Sequence, residues 1–185
     1  MAVAAVPRPL TWEDLEATPE SGHRYEIMQG ELVVAASPGG PHQLAATWLA
    51  VIVAPHVYER KLGVFYGSPV DVRFDLHNVV APDLTFVSEA RRHIITPHYI
   101  DGVPDLVMEI LSKSTRRYDL VQKAALYETA GVREYWQIDT DARTIVILSL
   151  QDGRHVPLPV RDGRVRSDVL DGLEIDLAEF FAKVF

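Results

Sequence analysis

Two acids in apolar surroundings and one amine downstream are the residues of this chain best suited to chemistry: Asp83, Glu109 and Lys123. Asp83 interrupts Val79-Val80-Ala81-Pro82-Asp83-Leu84-Thr85-Phe86-Val87, a run otherwise apolar and rich in β-branched residues. Glu109 lies within Asp105-Leu106-Val107-Met108-Glu109-Ile110-Leu111, which reads as a strand buried on both faces. Alternation puts Leu106, Met108 and Ile110 on one face, and Asp105, Val107, Glu109 and Leu111 on the other. Both faces are mostly apolar, so Glu109 is expected to be wholly or partly buried. An ionised carboxylate there is costly unless it is paired or bound to a metal. Lys123 falls on a predicted helix over 117–130 that Gly131 closes. Asp119, Lys123 and Tyr127 are spaced i, i+4, i+8 and share one face of it.

Hard divalent cations such as Mg²⁺ prefer carboxylate and carbonyl oxygens and usually keep waters. Asp83, Glu109 and the backbone carbonyl of Ile110 could hold such an ion beside a scissile phosphate. The ion would polarise a phosphoryl oxygen and acidify an attacking water. Lys123, a compact cation, could position that water or stabilise the oxyanion. The alternative is that Lys123 neutralises Glu109 in a buried pair without a metal.

Composition narrows the rest. The 185 residues suit one domain with a full core. There is no cysteine, which excludes disulfides, thiolate chemistry and cysteine-based zinc sites. The longest apolar stretch, 44–54, stops at Pro55, well short of the roughly 20 residues a bilayer span needs. With no basic-then-apolar start typical of a signal peptide, a cytoplasmic protein without a membrane partner is expected. The net charge of −8 argues against coating nucleic acid by bulk electrostatics. It leaves room for a local rim, since Arg supplies 14 of the 18 basic residues and Arg91, Arg92, Lys113, Arg116 and Arg117 flank the central stretch. No Gly-rich phosphate loop, His-Glu-x-x-His pattern or nucleophile elbow occurs, and the seven histidines form no close metal-ligand pair.

The elements that must carry these residues can be read in order. Residues 1–10 are expected to be loosely held. A short helix follows with Thr11 as N-cap, then a hairpin over 23–36 turning at Gln29-Gly30. A loop at Ser37-Pro38-Gly39-Gly40-Pro41 leads into a helix over 42–61, with Leu44, Trp48, Val51 and Ile52 as its buried stripe. Pro55 is expected to kink or divide that helix, and Gly63 to end it. Strands are predicted over 64–73 and 79–87, then a connection over 88–102 with a short helical turn. Beyond the Lys123 helix come strands over 134–138 and 144–149, turns at Asp152-Gly153 and Asp162-Gly163, and a last helix capped by Asp176 that docks Phe180 and Phe181. Strand runs with helices inserted between them indicate a mixed α+β or α/β fold.

Three segments together resemble the Uma-two family: Val80-Ala81-Pro82-Asp83-Leu84-Thr85-Phe86-Val87; Pro104-Asp105-Leu106-Val107-Met108-Glu109-Ile110-Leu111-Ser112; and Asp119, Lys123 and Tyr127 with Gly131-Val132-Arg133-Glu134-Tyr135-Trp136. Tyr25-Glu26, Gly30-Glu31-Leu32 and His42 extend the resemblance over about 25–148. That family is placed in the restriction-endonuclease-like superfamily, with its PD…(D/E)xK pattern. The resemblance implies a central mixed sheet flanked by helices, with an added N-terminal hairpin and C-terminal strands. It also implies metal-dependent phosphodiester hydrolysis, with Mg²⁺ as cofactor and Mn²⁺ as substitute. The superfamily lysine position, two residues after the second acid, is Leu111 here. By resemblance the lysine of the following helix, Lys123, takes its role, ahead of Lys113. Glu31 is either a third metal oxygen or a strand-edge charge. His42 is either a phosphate contact at a helix start or a cap. Asp119 is expected to support Lys123, Asp105 to satisfy a strand-entry backbone group, and Tyr127, Tyr135 and Trp136 to be core aromatics.

The expectation is therefore one domain over 1–185 with a restriction-endonuclease-like core and Mg²⁺-dependent nuclease activity. DNA as the partner follows from the resemblance alone, and a homodimer would suit a double-strand cut. The rivals are an idle module that binds nucleic acid or a protein, and a hydrolase of small phosphoesters.

Overall fold

In the computed structural model, which describes residues 8–18, 24–35, 39–113 and 116–185, the strands form two main sheets, and the chain passes between them at Asp83. Helix α1 (Trp12–Glu16) follows Thr11, whose N–H donates to the Asp14 carboxylate at 2.9 Å. Strands β1 (Arg24–Met28) and β2 (Glu31–Ala35) form the expected hairpin. Its turn residues Gln29 and Gly30 have φ of 54° and 77°, which matches the twist of a two-residue hairpin turn. The expectations for residues 1–7, His23, Ser37 and Pro38 lie outside the described residues.

Helix α2 (Gly40–Glu59) is one continuous helix, with Pro55 inside it rather than dividing it. Pro55 sits on the exposed side, where solvent can reach the carbonyl it leaves unbonded. The expected buried stripe is corrected in part: Trp48 and Ile52 are partly buried and pack against the main core, but Leu44 and Val51 face out. Leu44 and Val51 are 46% and 54% exposed, and the buried positions are Ala45, Leu49, Val53, His56 and Val57. Every residue over 44–54 except Thr47 is apolar, so no polar face marked which side meets solvent. Gly63 does not close this helix; it opens β3 (Gly63–Tyr66). At its φ of +155°, a Cβ would stand 2.1 Å from the Val87 carbonyl oxygen.

The strands expected over 64–73 and 79–87 are each two strands. β3 is followed by β4 (Val72–Asp75), and β5 (Asn78–Val80) by β6 (Leu84–Ser88). A 3₁₀ turn (Glu89–Ile94) and β7 (Ile100–Asp101) lead to β8 (Leu106–Leu111). β9 (Glu134–Asp139), β10 (Thr144–Gln151) and β11 (Arg154–Pro157) complete the larger sheet. The five-stranded sheet runs β2-β1-β5-β4-β7 and the six-stranded mixed sheet β11-β10-β9-β8-β6-β3. Each broken strand thus leaves one sheet and enters the other. The breaks hold Pro69 and Pro82, which have no N–H to give a ladder.

All six residues of β8 are buried. Its alternation is as expected: Leu106, Met108 and Ile110 enter the main core, while Val107 joins a second core with Tyr127 and Tyr135. The helix expected over 117–130 is α-helical at Arg117, π-helical over Tyr118–Lys123 and α-helical again in α3 (Ala124–Ala130), which ends at Gly131 with φ of 88°. Beyond the sheet, β12 (Arg164–Arg166) pairs with β13 (Glu174–Asp176). Asp176 caps α4 (Leu177–Val184) by accepting the Glu179 N–H at 3.0 Å, and Phe180 and Phe181 pack into the main core as expected. Buried Glu134 accepts hydrogen bonds from the Trp136 indole, the Ser167 hydroxyl and the N–H groups of Asp168 and Val169, which ties the C-terminal segment to β9. Among the described residues no helix is long and apolar enough to cross a membrane.

Candidate active site

Asp83 stands one residue before β6, and Glu109 lies on β8, the strand beside it. The antiparallel register pairs Leu84 with Met108, and both of those side chains enter the main core. One residue along, Asp83 and Glu109 therefore leave on the opposite face. Asp83 Oδ2 accepts the Ile110 N–H at 2.8 Å and lies 3.0 Å from His42 Nε2, while Oδ1 accepts from Arg24 Nη1 at 3.0 Å. Lys123 approaches from the π-helical stretch. Its Nζ is 2.9 Å from Glu109 Oε1, 2.9 Å from Glu26 Oε1 and 3.8 Å from Asp119 Oδ1. Tyr127 donates its hydroxyl to Glu109 Oε1 at 2.6 Å, and the Tyr118 ring centroid lies 5.4 Å from the amine. Glu26, Asp83, Glu109, Asp119 and Lys123 are all buried.

Every residue of this cluster falls within residues 12–178, over which the chain matches the family described as "Uma2: Putative restriction endonuclease". The chain belongs to the Uma2 family. A crystal structure from Anabaena variabilis, described as "a putative nuclease belonging to DUF820", has the same fold, with a TM-score of 0.79 over 96% of this chain and 100% of that one. The two sequences are 18% identical, so the likeness is one of fold. No curated protein matches the chain.

In this Uma2 chain the acids respond to burial and to one another. Burial pushes the Glu109 carboxyl up to about 8; Lys123 opposes this, while Asp83, Asp119 and Glu26 add to it. Burial also works against the Lys123 charge, but Glu109, Glu26 and Asp119 more than reverse that and hold its pKa well above the usual lysine value. Asp83 goes the other way: despite burial, His42, Arg24 and the Ile110 N–H keep it below the usual carboxylate value. The cluster thus holds one carboxylate kept ionised by fixed donors, one carboxyl with raised proton affinity and one ammonium locked in its charged form.

Asp83, Glu109, Lys123, Asp119 and His42, all expected from the sequence, meet here. Glu31 does not: it is exposed beside the hairpin turn, opposite Met28, at the far end of β1 from Arg24. Ile110 contacts Asp83 through its N–H. The carbonyl of a strand residue leaves on the same edge as its N–H, so the Ile110 carbonyl faces the Asp83 edge as well. Among the described residues no three His, Asp or Glu side chains are already arranged around a metal position. Two residues were missed. Glu26 and Arg24, two apart on β1, share a face with buried Met28, and two charges on a strand face that meets a core were the signal. Tyr127, Tyr135 and Trp136 are buried core aromatics, and Asp105 accepts the Ser88 N–H at 2.8 Å at the entry to β8, both as expected. Of the flanking basic residues, Arg91, Arg92 and Arg116 pair with Asp105, Glu89 and Asp139. Lys113 is exposed.

Proposed function

We propose that this protein is a Mg²⁺-dependent nuclease that hydrolyses phosphodiester bonds in DNA, with Mn²⁺ able to replace Mg²⁺. The observation that carries the reading is the convergence of Asp83 at the entry to β6, Glu109 on β8 and Lys123 on a helix in one buried cluster, with Lys123 Nζ 2.9 Å from Glu109. The donor chemistry suits the ion. Two carboxylates and the Ile110 carbonyl are hard oxygens of the kind Mg²⁺ takes. The cluster also carries more acids (Glu26, Asp83, Glu109, Asp119) than fixed cations (Arg24, Lys123), and Asp83, Asp119 and Glu26 add to the raised proton affinity that burial gives Glu109. The buried Nδ1 of His42, without a hydrogen-bond partner, offers one further polar atom at the edge of Asp83.

Asp83, Glu109 and the Ile110 carbonyl would hold the ion. Bound there, it would supply phosphoryl polarisation and a more acidic water. Lys123 keeps its charge and directs it at the reacting oxygens, stabilising the developing oxyanion or orienting the attacking water. Tyr127 holds the Glu109 carboxylate in place, and Arg24 and His42 do the same for Asp83.

A second reading is an idle module with a structural ion pair. It is favoured by how fully protein donors occupy Asp83 Oδ2 and Glu109 Oε1. Calorimetry with Mn²⁺ separates the two, on wild type and on Glu109→Ala, with plasmid cleavage assayed in the same buffers. A nuclease binds the ion and cuts, and loses both in the variant. A folded wild type that binds no divalent ion is the idle module.

A further inference from the structure

We propose that Glu26 is a positioning residue of this site, holding both the Lys123 amine and the segment that carries Asp83. The role rests on the nuclease reading above but is argued from contacts that exist without a metal. Glu26 Oε1 accepts the Ala81 N–H at 2.9 Å and lies 2.9 Å from Lys123 Nζ. Arg24, on the same face of β1, donates to the Ala81 carbonyl at 3.1 Å and to Asp83 Oδ1 at 3.0 Å. One strand therefore grips both backbone groups of Ala81, at the point where the chain leaves the five-stranded sheet and Pro82 can make no ladder bond. The position of Asp83 depends on that grip, because its carboxylate stands only two residues beyond it.

The second half of the role concerns the amine. Lys123 Nζ lies between Glu26, from the five-stranded sheet, and Glu109, from the six-stranded sheet, at equal distances of 2.9 Å. With Glu109 as its only strong acceptor, the amine would follow that carboxylate wherever a bound ion drew it. Glu26, which is 2% exposed and anchored to Ala81, gives the amine a second fixed point and keeps it aimed when Glu109 is engaged. Glu26 thus acts through Lys123 and Asp83 and need not touch substrate.

The test is Glu26→Gln, which keeps an oxygen for the Ala81 N–H and removes the charge facing Lys123, with Glu26→Ala beside it. In metal-free, ¹⁵N-labelled protein, the Lys123 ammonium signal is followed by its proton exchange with water. Faster exchange in Glu26→Gln, at unchanged thermal midpoint, is expected. In turnover, Glu26→Gln is expected to lower kcat by about tenfold or more with KM within about twofold, the mark of an interaction that acts on the reacting state. Glu26→Ala should add a loss of thermal stability. Unchanged ammonium exchange, or a wild-type kcat in Glu26→Gln, overturns the proposal. A wild type that cuts nothing, with exchange still quickened by Glu26→Gln, removes the nuclease reading and leaves Glu26 as the residue that holds Lys123.

Discussion

Glu109 binds its proton more tightly folded than unfolded, since burial raises its pKa from 4.5 to about 8. The stability this contributes is full below the ordinary carboxylate value and is lost as pH climbs through the folded one. Metal-free protein should therefore lose thermal stability between about pH 4.5 and about pH 8. Glu109→Gln, neutral at every pH, should flatten that slope, and midpoints recorded across the range decide it; an unchanged slope would place the titration elsewhere. Asp83 has the opposite sign, because its folded pKa is lowered, and its contribution is present above the ordinary value and lost as pH falls. At this scale much was legible in the sequence. An acid in an apolar strand and an amine at i+4 from another acid stand out by type and spacing. Glu26 was harder, because two charges on one face of a short strand, Arg24 and Glu26, read as a solvent-facing pair until the sheet above them is known.

At the scale of elements, what was legible depended on contrast between polar and apolar residues. β8 read correctly because its neighbours and its single acid fixed the alternation. α2 did not, because an apolar helix without a polar face has no readable orientation, and the larger Leu44 and Val51 misled where Ala45 and Leu49 are inside. The correction has a direct consequence. Leu49→Ala should cost about 2–5 kcal/mol by opening a cavity in the main core. Leu44→Ala should stay within about 0.5 kcal/mol. Urea unfolding of the two variants distinguishes them, and equal losses would restore the stripe the sequence suggested. Gly63 carries a second element-scale consequence. Its positive φ and the 2.1 Å approach to Val87 predict that Gly63→Ala destabilises the β3–β6 pairing, by about 1–3 kcal/mol or more, in the same unfolding measurement. The π-helical stretch had no sequence signature, since its residues are ordinary helix formers. It occupies the turn that carries Asp119 and Lys123, and such stretches concentrate at functional sites.

At the scale of the whole molecule, charge and site pull in opposite directions. A net charge of −8 repels a phosphate backbone, and three of the five flanking basic residues are already paired with acids. Arg91 does so beside Asp105, at the opposite end of β8 from Glu109, and Arg116 beside Asp139, which is in register with Leu111. The buried acid excess adds to the repulsion as long as no divalent ion is bound. Affinity for DNA should then depend on the ion rather than on a basic surface. A Lys123→Met variant, which keeps the stem and lacks the charge, allows binding to be measured while cleavage is slowed. Its retention of a DNA duplex is expected in Mg²⁺ and lost in EDTA. Few phosphates are neutralised by side chains, so log K should fall with log salt at a slope shallower than about −3, against about −0.9 for each phosphate contacted. Tight binding in EDTA with a steep slope would place recognition on a basic surface remote from the acids. Metal-conditional binding with a shallow slope would tie recognition to Asp83 and Glu109, because only there does an ion turn a repulsive cluster into one that a phosphate can approach.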